Sequence, residues 1–344
     1  MLDNALIQRT LDTALRTGGE LAEVFVEDRS SSNAVFDDGK VEHLSSGRER
    51  GAGIRVIAGE TTGFAHTADL SEAGLVEAAE AAAAAARSGG GGVREVALTR
   101  THVARPNPVQ ILPGDVAKAR KVDLLARADD AARSAGAAIS QVTARYGDSR
   151  RRILVANSDG LLTEDDQVRT LFSVLAVASG DTGMQTGYQT LGRTVGFELF
   201  DSHDVADLAR EAARRALLKL SARPAPSGTV PVVIGPGGGG VLFHEACGHG
   251  LEADLVAKGA SVFAGRIGER VADPSVTLVD DGTMAEEWGY VGVDDEGSPA
   301  ARNVLIEDGI LTDYMWDLLR SRKEGRPRSG NGRRQSYKHL PMVP

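Results

Sequence analysis

Strand-like runs separated by tight-turn dipeptides fill residues 21–67, and this pattern constrains the fold more than any other feature of the sequence. The turn pairs are Asp38-Gly39 and Gly59-Glu60. The runs span residues 21–27, 32–36, 41–44, 53–58 and 63–65. Asp-Gly and related glycine pairs are typical of short hairpin turns, because glycine adopts positive φ angles without strain. The segment therefore predicts an antiparallel meander.

Helical patterns flank the strand-rich segments. The predicted helices span residues 3–17, 71–87, 114–135 and 204–221, and glycines 89–92 are expected to end the second one. Its alanine-rich part fits a packed helix, because alanine is the best helix former. Strands again dominate residues 138–199, with breaks predicted at Gly147-Asp148, 158–160 and 180–181. The order helix, strands, helices, strands favours an α+β fold over a doubly wound one.

A segment rich in proline, serine and glycine at residues 223–228 (RPAPSG) marks the clearest domain boundary. It predicts an N-terminal α+β domain over residues 1–222 and a second domain over residues 229–344. In the second domain, the patterns predict a buried strand at 229–234, a helix at 241–257 and strands at 261–313. We expect antiparallel sheets with helices in the first lobe. The second lobe is expected to be sheet-rich, with its helix lining a cleft.

Net charge and cysteine content exclude several classes of protein. The chain has 39 Lys and Arg against 48 Asp and Glu, a formal net charge of −9, so we expect no nucleic acid and no membrane as partner. The single cysteine, Cys247, excludes a disulfide framework or a four-cysteine zinc site within this chain. No apolar stretch approaches the roughly 20 residues of a membrane-spanning helix, and no signal peptide is visible. We expect a cytoplasmic protein.

The strongest chemical signal is the run His244-Glu245-Ala246-Cys247-Gly248-His249 in the predicted helix of the second domain. Neutral imidazoles bind zinc-like ions, and a neighbouring carboxylate can take a proton from water and return it. The usual spacing is two histidines at i and i+4, whereas i and i+5 lie roughly 140° apart on a regular α-helix. We therefore expect a π-bulge that turns both rings toward one ion, with Gly248 permitting the strain. The alternative is two unrelated histidines on a partly buried helix.

Four segments carry a resemblance to a known family: HEACGHGLEAD, SVFAGRIGERVADPSVTLVDDGT, DDEGSPAARNVLIEDGILTDYM with one extra alanine, and GNGRRQSYKHLPMV. Together they resemble the TldD/PmbA family of metalloproteases, nearest to the TldD-type subunit, from about residue 230 onward and more loosely over residues 20–67. The resemblance implies that His244 and His249 are Zn2+ ligands and that Glu245 is the general base. It also implies hydrolysis of unfolded or extended peptides inside a closed dimer chamber, formed by a homodimer or with a PmbA-like subunit.

The sequence departs from this family at the third zinc ligand, which in the family is a cysteine in a C-terminal segment. Because the single cysteine here is Cys247, we expect a truncated C-terminal domain, with Cys247 or His339 as the candidate substitute ligand. Catalytic zinc normally takes three protein ligands and a water. The alternative function is therefore a catalytically impaired remnant, or an assembly subunit, that lacks the third ligand. Truncation would also leave strands near residues 276–280 and 303–313 without neighbours, with apolar faces exposed at Val304, Ile306, Ile310 and Leu311.

Two further segments carry weaker signals. The glycine-rich run 235–240 is similar to a phosphate-binding turn, but no Lys-Ser/Thr pair follows it, which favours a turn for close packing. The basic stretch 320–338 is opposite in charge to the acidic stretch 273–313, and we interpret it as a solvated loop or a segment that faces those acids. In a TldD-like chain, Arg333 and Arg334 would lie near the peptide channel and hold substrate carbonyls or a carboxylate.

Overall fold

The computed structural model describes residues 2–86, 97–103, 105, 108–181 and 183–343, and these residues form an α+β fold with antiparallel sheets. The helices are α1 (Asn4–Leu15), α2 (Glu72–Ala85), α3 (Lys118–Arg133), α4 (Leu199–Ser202), α5 (Val205–Leu220), α6 (Gly238–Phe243), α7 (Ala253–Ala257) and α8 (Leu318–Glu324). The strands are β1 (Leu21–Asp37), β2 (Lys40–Ala58), β3 (Thr61–Thr67), β4 (Thr99–His102), β5 (Ile139–Asn157), β6 (Leu161–Gly180), β7 (Gly183–Arg193), β8 (Leu278–Asp281), β9 (Arg302–Glu307) and β10 (Ile310–Leu311). None of these helices is long and apolar enough to cross a membrane. Glycines 89–92, the predicted end of α2, lie outside the described residues.

One large sheet contains the first seven strands, in the order β3-β2-β1-β5-β6-β4, with β7 also paired to β6. Neighbouring strands are antiparallel, except that β4 runs parallel to β6. The turn between β1 and β2 is the predicted Asp38-Gly39 pair, with φ angles of 46° and 81°. The predicted meander is thus confirmed for β1, β2 and β3.

Several strands are longer than their local sequence signals suggest. β5 runs without a break through Gly147-Asp148, where Asp148 lies opposite Ser32 of β1 and Thr170 of β6. Because the strand is paired on both sides, cross-strand pairing outweighs the local turn preference of the two residues. The predicted break at Gly147-Asp148 is therefore wrong, whereas the turn at 158–160 is present.

Alanine-rich helix faces cover the large sheet. α1 and α2 pack on β1 and β2, while α3 and α5 pack on β5, β6 and β7. A Cβ atom at Gly187 of β7 would lie 1.9 Å from the carbonyl oxygen of Ala212 in α5, and one at Gly63 of β3 would lie 2.1 Å from that of Ala82 in α2. Small residues on both surfaces therefore bring the helices close to the sheet, which fits a chain with 4% aromatic residues.

A second, three-stranded sheet is formed by β8, β9 and β10. Its core also includes Leu251, which follows the histidine motif, so this sheet supports the motif from its C-terminal side. Ile306 and Leu311 are 3% and 0% exposed. The expectation of exposed apolar faces on these strands is therefore wrong at both positions.

Residues 229–234 do not form the predicted buried strand. Within the described part of the chain, no strand pairs with them and their backbone groups make no backbone hydrogen bonds. Their side chains are exposed, and Val233 is 99% exposed. An apolar pattern specifies a strand only when a neighbouring strand and a covering layer are present, and the described residues supply neither at 229–234. The residues of the RPAPSG segment are also exposed, and the domain boundary there stays a prediction.

A buried ion-pair network joins the large sheet to the C-terminal part of the chain. Arg55 of β2 lies 2.9 Å from Glu23 of β1 and 2.7 Å from Glu296. Arg334 pairs with the other oxygen of Glu23, and all four side chains are at most 4% exposed. Because buried charges are stable only when they are paired, the network fixes residues 296 and 334 against β1 and β2.

Candidate metal centre

The histidine motif lies where a short helix changes its hydrogen-bonding pattern. α6 is followed by one π-turn, His244–Gly248, and then by a 3₁₀ turn, His249–Leu251. The N–H of His249 donates to the carbonyl oxygen of His244, which is the i+5 to i bond of a π-turn. The irregular helix predicted from the histidine spacing is therefore confirmed.

Gly248 does not explain the π-turn. Its φ of −56° and ψ of −52° lie in the right-handed helical region that every residue adopts. A Cβ atom at this position would lie 3.4 Å from Nδ1 of His244, an ordinary van der Waals contact. The strain that glycine was expected to permit is absent, so the role predicted for Gly248 is wrong.

The π-turn brings the three predicted active-site side chains together. The ring centroids of His244 and His249 lie 4.4 Å apart at an interplanar angle of 67°. One ligand atom from each of His244, Glu245 and His249 lies within 4.8 Å of the others. Nε2 of His249 is 3.7 Å from Oε2 of Glu245. Two imidazole nitrogens and one carboxylate oxygen thus face one small volume.

This donor set fits a divalent transition metal. Imidazole nitrogen suits zinc, copper, iron and nickel, whereas calcium and magnesium prefer ligand sets made of oxygen. The side chains of Glu245 and His249 are 65% and 46% exposed, so an ion and a substrate can reach them. Within the described residues, neither Cys247 nor His339 belongs to the group. Nδ1 of His339 instead lies 3.0 Å from the hydroxyl of Ser336.

A fourth side chain, that of Glu252, contacts the group through the His249 ring. Its Oε1 accepts a hydrogen bond from Nδ1 of His249 at 2.5 Å, and its carboxylate is only 6% exposed. This hydrogen bond raises the pKa of the His249 imidazole above its usual value. Glu252 was not among the site residues predicted from the sequence. The available signal was a carboxylate three residues after the second histidine, which places the two side chains on one side of a helical turn.

Arg333 and Arg334, the predicted substrate ligands, bind other parts of the protein. Nη2 of Arg334 pairs with Glu23, while its Nε and Nη1 donate to the carbonyl oxygens of Asp295 and His339. Nη1 of Arg333 donates to the carbonyl oxygens of residues 330 and 332 at 2.9 and 3.2 Å. No described hydrogen bond or ion pair links either arginine to the histidine group. Their contact with substrate stays a prediction.

The glycine-rich run 235–240 forms the turn into α6. Gly237 has a φ of 85°, where glycine is favoured, and the helix begins at the next residue. A Cβ atom at Gly239 would lie 2.6 Å from the side chain of Ile234. These features match a turn that allows close packing.

Three domain models of one family match the chain in order. The PmbA/TldA metallopeptidase domain 1 matches residues 22–86, the central domain residues 111–220 and the C-terminal domain residues 227–344. A metalloprotease TldD homolog from Haemophilus influenzae is 38% identical over 335 residues, which cover 94% of this chain and 68% of that protein. A metalloprotease from Methanothermobacter thermautotrophicus is 34% identical over 316 residues, which cover 91% of this chain and 68% of that protein.

A solved structure shares the fold. The crystal structure of TldE from Thermococcus kodakarensis superposes with a TM-score of 0.81 at 20% identity, covering 98% of this chain and 76% of that one. The matching family models and relatives place the chain in a class of metallopeptidase-family proteins. The chain belongs to the PmbA/TldD metallopeptidase family. The names of its relatives imply a metal ion, and His244, Glu245 and His249 form a group that could hold one.

Proposed function

We propose that the protein is a zinc-dependent peptidase that hydrolyses unfolded or extended peptides. The observation that carries this proposal is the convergence of His244, Glu245 and His249 on one π-turn, in a chain of a metallopeptidase family. Both histidines are accessible to solvent, so burial in a core does not account for their approach. A shared metal ion does account for it, because each ring directs nitrogen donors at the same volume.

In the proposed reaction, the imidazoles of His244 and His249 hold the ion and Glu245 moves the proton. Zinc, when bound, polarises the substrate carbonyl and lowers the pKa of an adjacent water. The Glu245 carboxylate accepts a proton from the water whose oxygen attacks the carbonyl carbon. Glu245 then donates this proton to the amide nitrogen as the carbon–nitrogen bond breaks, which leaves a carboxylic acid and an amine.

We propose that the active form is a dimer whose second subunit encloses the site. The supporting observation is the exposure of Glu245 and His249, because water-exposed donors leave charged intermediates poorly stabilised. The second subunit would be another copy of this chain or a PmbA-like chain. A closed chamber would admit extended peptides and exclude folded proteins, and the enzyme would act in the cytoplasm.

A second candidate function is a catalytically impaired remnant or an assembly subunit. The observation that favours it is the number of ligands: among the described residues, two imidazoles and the proposed base form the group. Catalytic zinc sites normally have three protein ligands in addition to water. This chain would then bind zinc weakly and serve its partner by completing a dimer.

Peptidase assays on zinc-loaded protein distinguish the two candidates. The substrate is an unstructured peptide with a fluorophore and a quencher on either side of its cleavable bonds. We expect turnover by the wild type and a loss of at least about 100-fold in Glu245→Gln, because general acid–base catalysis supplies about that factor or more. Zinc content should stay the same in this variant, since Glu245 is the base and not a ligand.

Glu269→Gln is the matched control, because this glutamate is exposed and pairs with Arg266 in the same lobe. It should retain the wild-type rate. An active Glu245→Gln variant would contradict the proposed mechanism. A wild type that binds zinc without turning over peptide, alone or with a PmbA-like chain, would favour the second candidate.

A further inference from the structure

We infer that Glu252 is a positioning residue, which holds the His249 ring so that its Nε2 atom faces the metal ion. The inference rests on the proposed metal site and extends it to a residue outside the run 244–249. Oε1 of Glu252 lies 2.5 Å from Nδ1 of His249, on the opposite side of the ring from Glu245.

The surroundings of Glu252 leave the imidazole as its partner. The residue stands at the N-cap of α7, yet its side chain makes no capping hydrogen bond to that helix. Within the described part of the chain, His249 is the side chain that hydrogen-bonds and pairs with its carboxylate. Burying a carboxylate that is only 6% exposed costs free energy unless the charge has a partner, and the contact with His249 supplies that partner.

The backbone on both sides of Glu252 is fixed to a neighbouring segment. The N–H of Ala253 donates to the carbonyl oxygen of Met315 at 3.0 Å, and the N–H of Met315 donates to that of Leu251 at 2.9 Å. Leu251 and Ala253 are 0% and 1% exposed. The carboxylate therefore projects from an anchored backbone, and it can impose an orientation on the more exposed imidazole.

The hydrogen bond also determines which ring nitrogen is available to a metal. A carboxylate accepts a proton, so the neutral His249 ring carries its hydrogen on Nδ1 and keeps a lone pair on Nε2. Nε2 is the nitrogen that lies 3.7 Å from the Glu245 carboxylate, inside the group. Carboxylates that orient metal-binding histidines in this way also increase the basicity of the ligand.

Two readouts on the full chain test the inference. The first is the tautomer of His249 in metal-free protein, measured by long-range proton–nitrogen NMR on histidine-labelled samples at a pH where the ring is neutral. The second is the zinc dissociation constant, measured by competition with a chelator. The variants are Glu252→Ala, which removes the carboxylate, and Glu252→Asp, which withdraws it by one methylene. Glu269→Ala is the control.

We expect the wild type and the control to show an Nδ1–H ring and equal zinc affinity. Both Glu252 variants should lose the Nδ1–H preference and bind zinc about 10- to 100-fold more weakly. If the alanine variant does not fold, the aspartate variant carries the same test. An unchanged tautomer or an unchanged affinity in a folded variant would overturn the inference. Absence of zinc binding by the wild type would instead refute the proposed function, and the tautomer would still test Glu252.

Discussion

Within the π-turn, neighbouring residues have separable roles. His244 and His249 present ring nitrogens to a common volume, while Glu245 places its carboxylate beside them. Gly248 lies between them in ordinary helical geometry, with room for a methyl group. The convergence of the rings therefore depends on the backbone hydrogen bond from residue 249 to residue 244, and not on the absence of a side chain at residue 248.

Gly248→Ala tests this distinction directly. We expect the variant to bind zinc with wild-type affinity and to gain about 0.5 kcal/mol in free energy of unfolding, because alanine restricts the unfolded chain more than glycine does. The measurements are chelator competition for zinc and urea denaturation of the metal-free protein. A large loss of zinc affinity in a folded variant would show that the site needs glycine at this position.

Three neighbouring strands of the large sheet, β2, β1 and β5, are joined by ion pairs centred on Asp28. Asp28 of β1 accepts hydrogen bonds from Nε and Nη2 of Arg48 in β2, at 2.8 and 2.5 Å, and from Nη2 of Arg152 in β5 at 2.8 Å. The Arg48 guanidinium in particular lowers the pKa of the Asp28 carboxyl to about 2, although partial burial opposes this shift. The carboxylate thus links the β1–β2 hairpin to β5, a strand far away in the sequence.

The free energy of unfolding should depend on pH through the ion pairs of Asp28. The pKa of Asp28 is lower in the folded chain, at about 2, than the roughly 3.9 of an unfolded one. Its stabilising contribution is therefore complete above about pH 5, and it is lost as pH falls toward 2. We expect Asp28→Asn to cost about 1–2 kcal/mol near neutral pH, and the difference from wild type to shrink as the solution is acidified.

Urea denaturation of both proteins across the acid range checks this expectation. The control is Asp207→Asn, because the Asp207 side chain is 74% exposed and pairs at the surface with Arg210. Its effect should stay within about 0.5 kcal/mol. A difference between Asp28→Asn and wild type that is constant with pH would contradict the proposed contribution of the Asp28 carboxylate.

Sequence patterns predicted the helices better than the strands. α1 and α2 begin after Asp3 and Ser71, whose side chains accept backbone hydrogen bonds. α1 lies where the apolar spacing places it, and α2 lies where the alanine-rich run predicts a helix. The histidine spacing also predicted the π-turn, because few helical geometries direct the side chains at positions i and i+5 toward one ion. Strand continuity at Gly147 and the absence of a strand at 229–234 depend on neighbours distant in sequence, which a local pattern does not contain.

The whole molecule depends on buried charges that sequence analysis did not identify. Arg55, Glu23, Glu296 and Arg334 are fully buried, although each residue type is normally found at the surface. Burial raises the pKa of Glu296 to about 7, although the nearby Arg55 guanidinium opposes the shift. Their pairing links positions as far apart as residues 23 and 334. Glu252 was missed for a similar reason, since the burial of its carboxylate and its orientation toward His249 are visible only in the folded chain.

Arg55→Met tests whether this network holds the large sheet to the C-terminal part of the chain. The substitution leaves Glu23 and Glu296 without their shared cation, and we expect a loss of about 3–5 kcal/mol in free energy of unfolding. Adding Glu296→Gln should recover part of the loss, because it removes one of the two facing carboxylates. Urea denaturation is the measurement.

Arg9→Met is the control for this substitution, because Arg9 forms an exposed pair with Glu72. It should change the free energy of unfolding by less than about 1 kcal/mol. If Arg55→Met and the control have similar effects, the buried pairs contribute little, and packing alone joins the two parts of the molecule.

The position of a bound metal ion decides whether His244 and His249 form a metal site. Crystals of the protein grown with zinc are measured on both sides of the zinc absorption edge, and the anomalous difference map locates the ion. We expect a peak between the imidazoles of His244 and His249, within about 2.0–2.1 Å of one nitrogen of each ring, with Nε2 as the ligand atom of His249. A zinc peak elsewhere in the chain, with none between these two rings, would contradict this expectation.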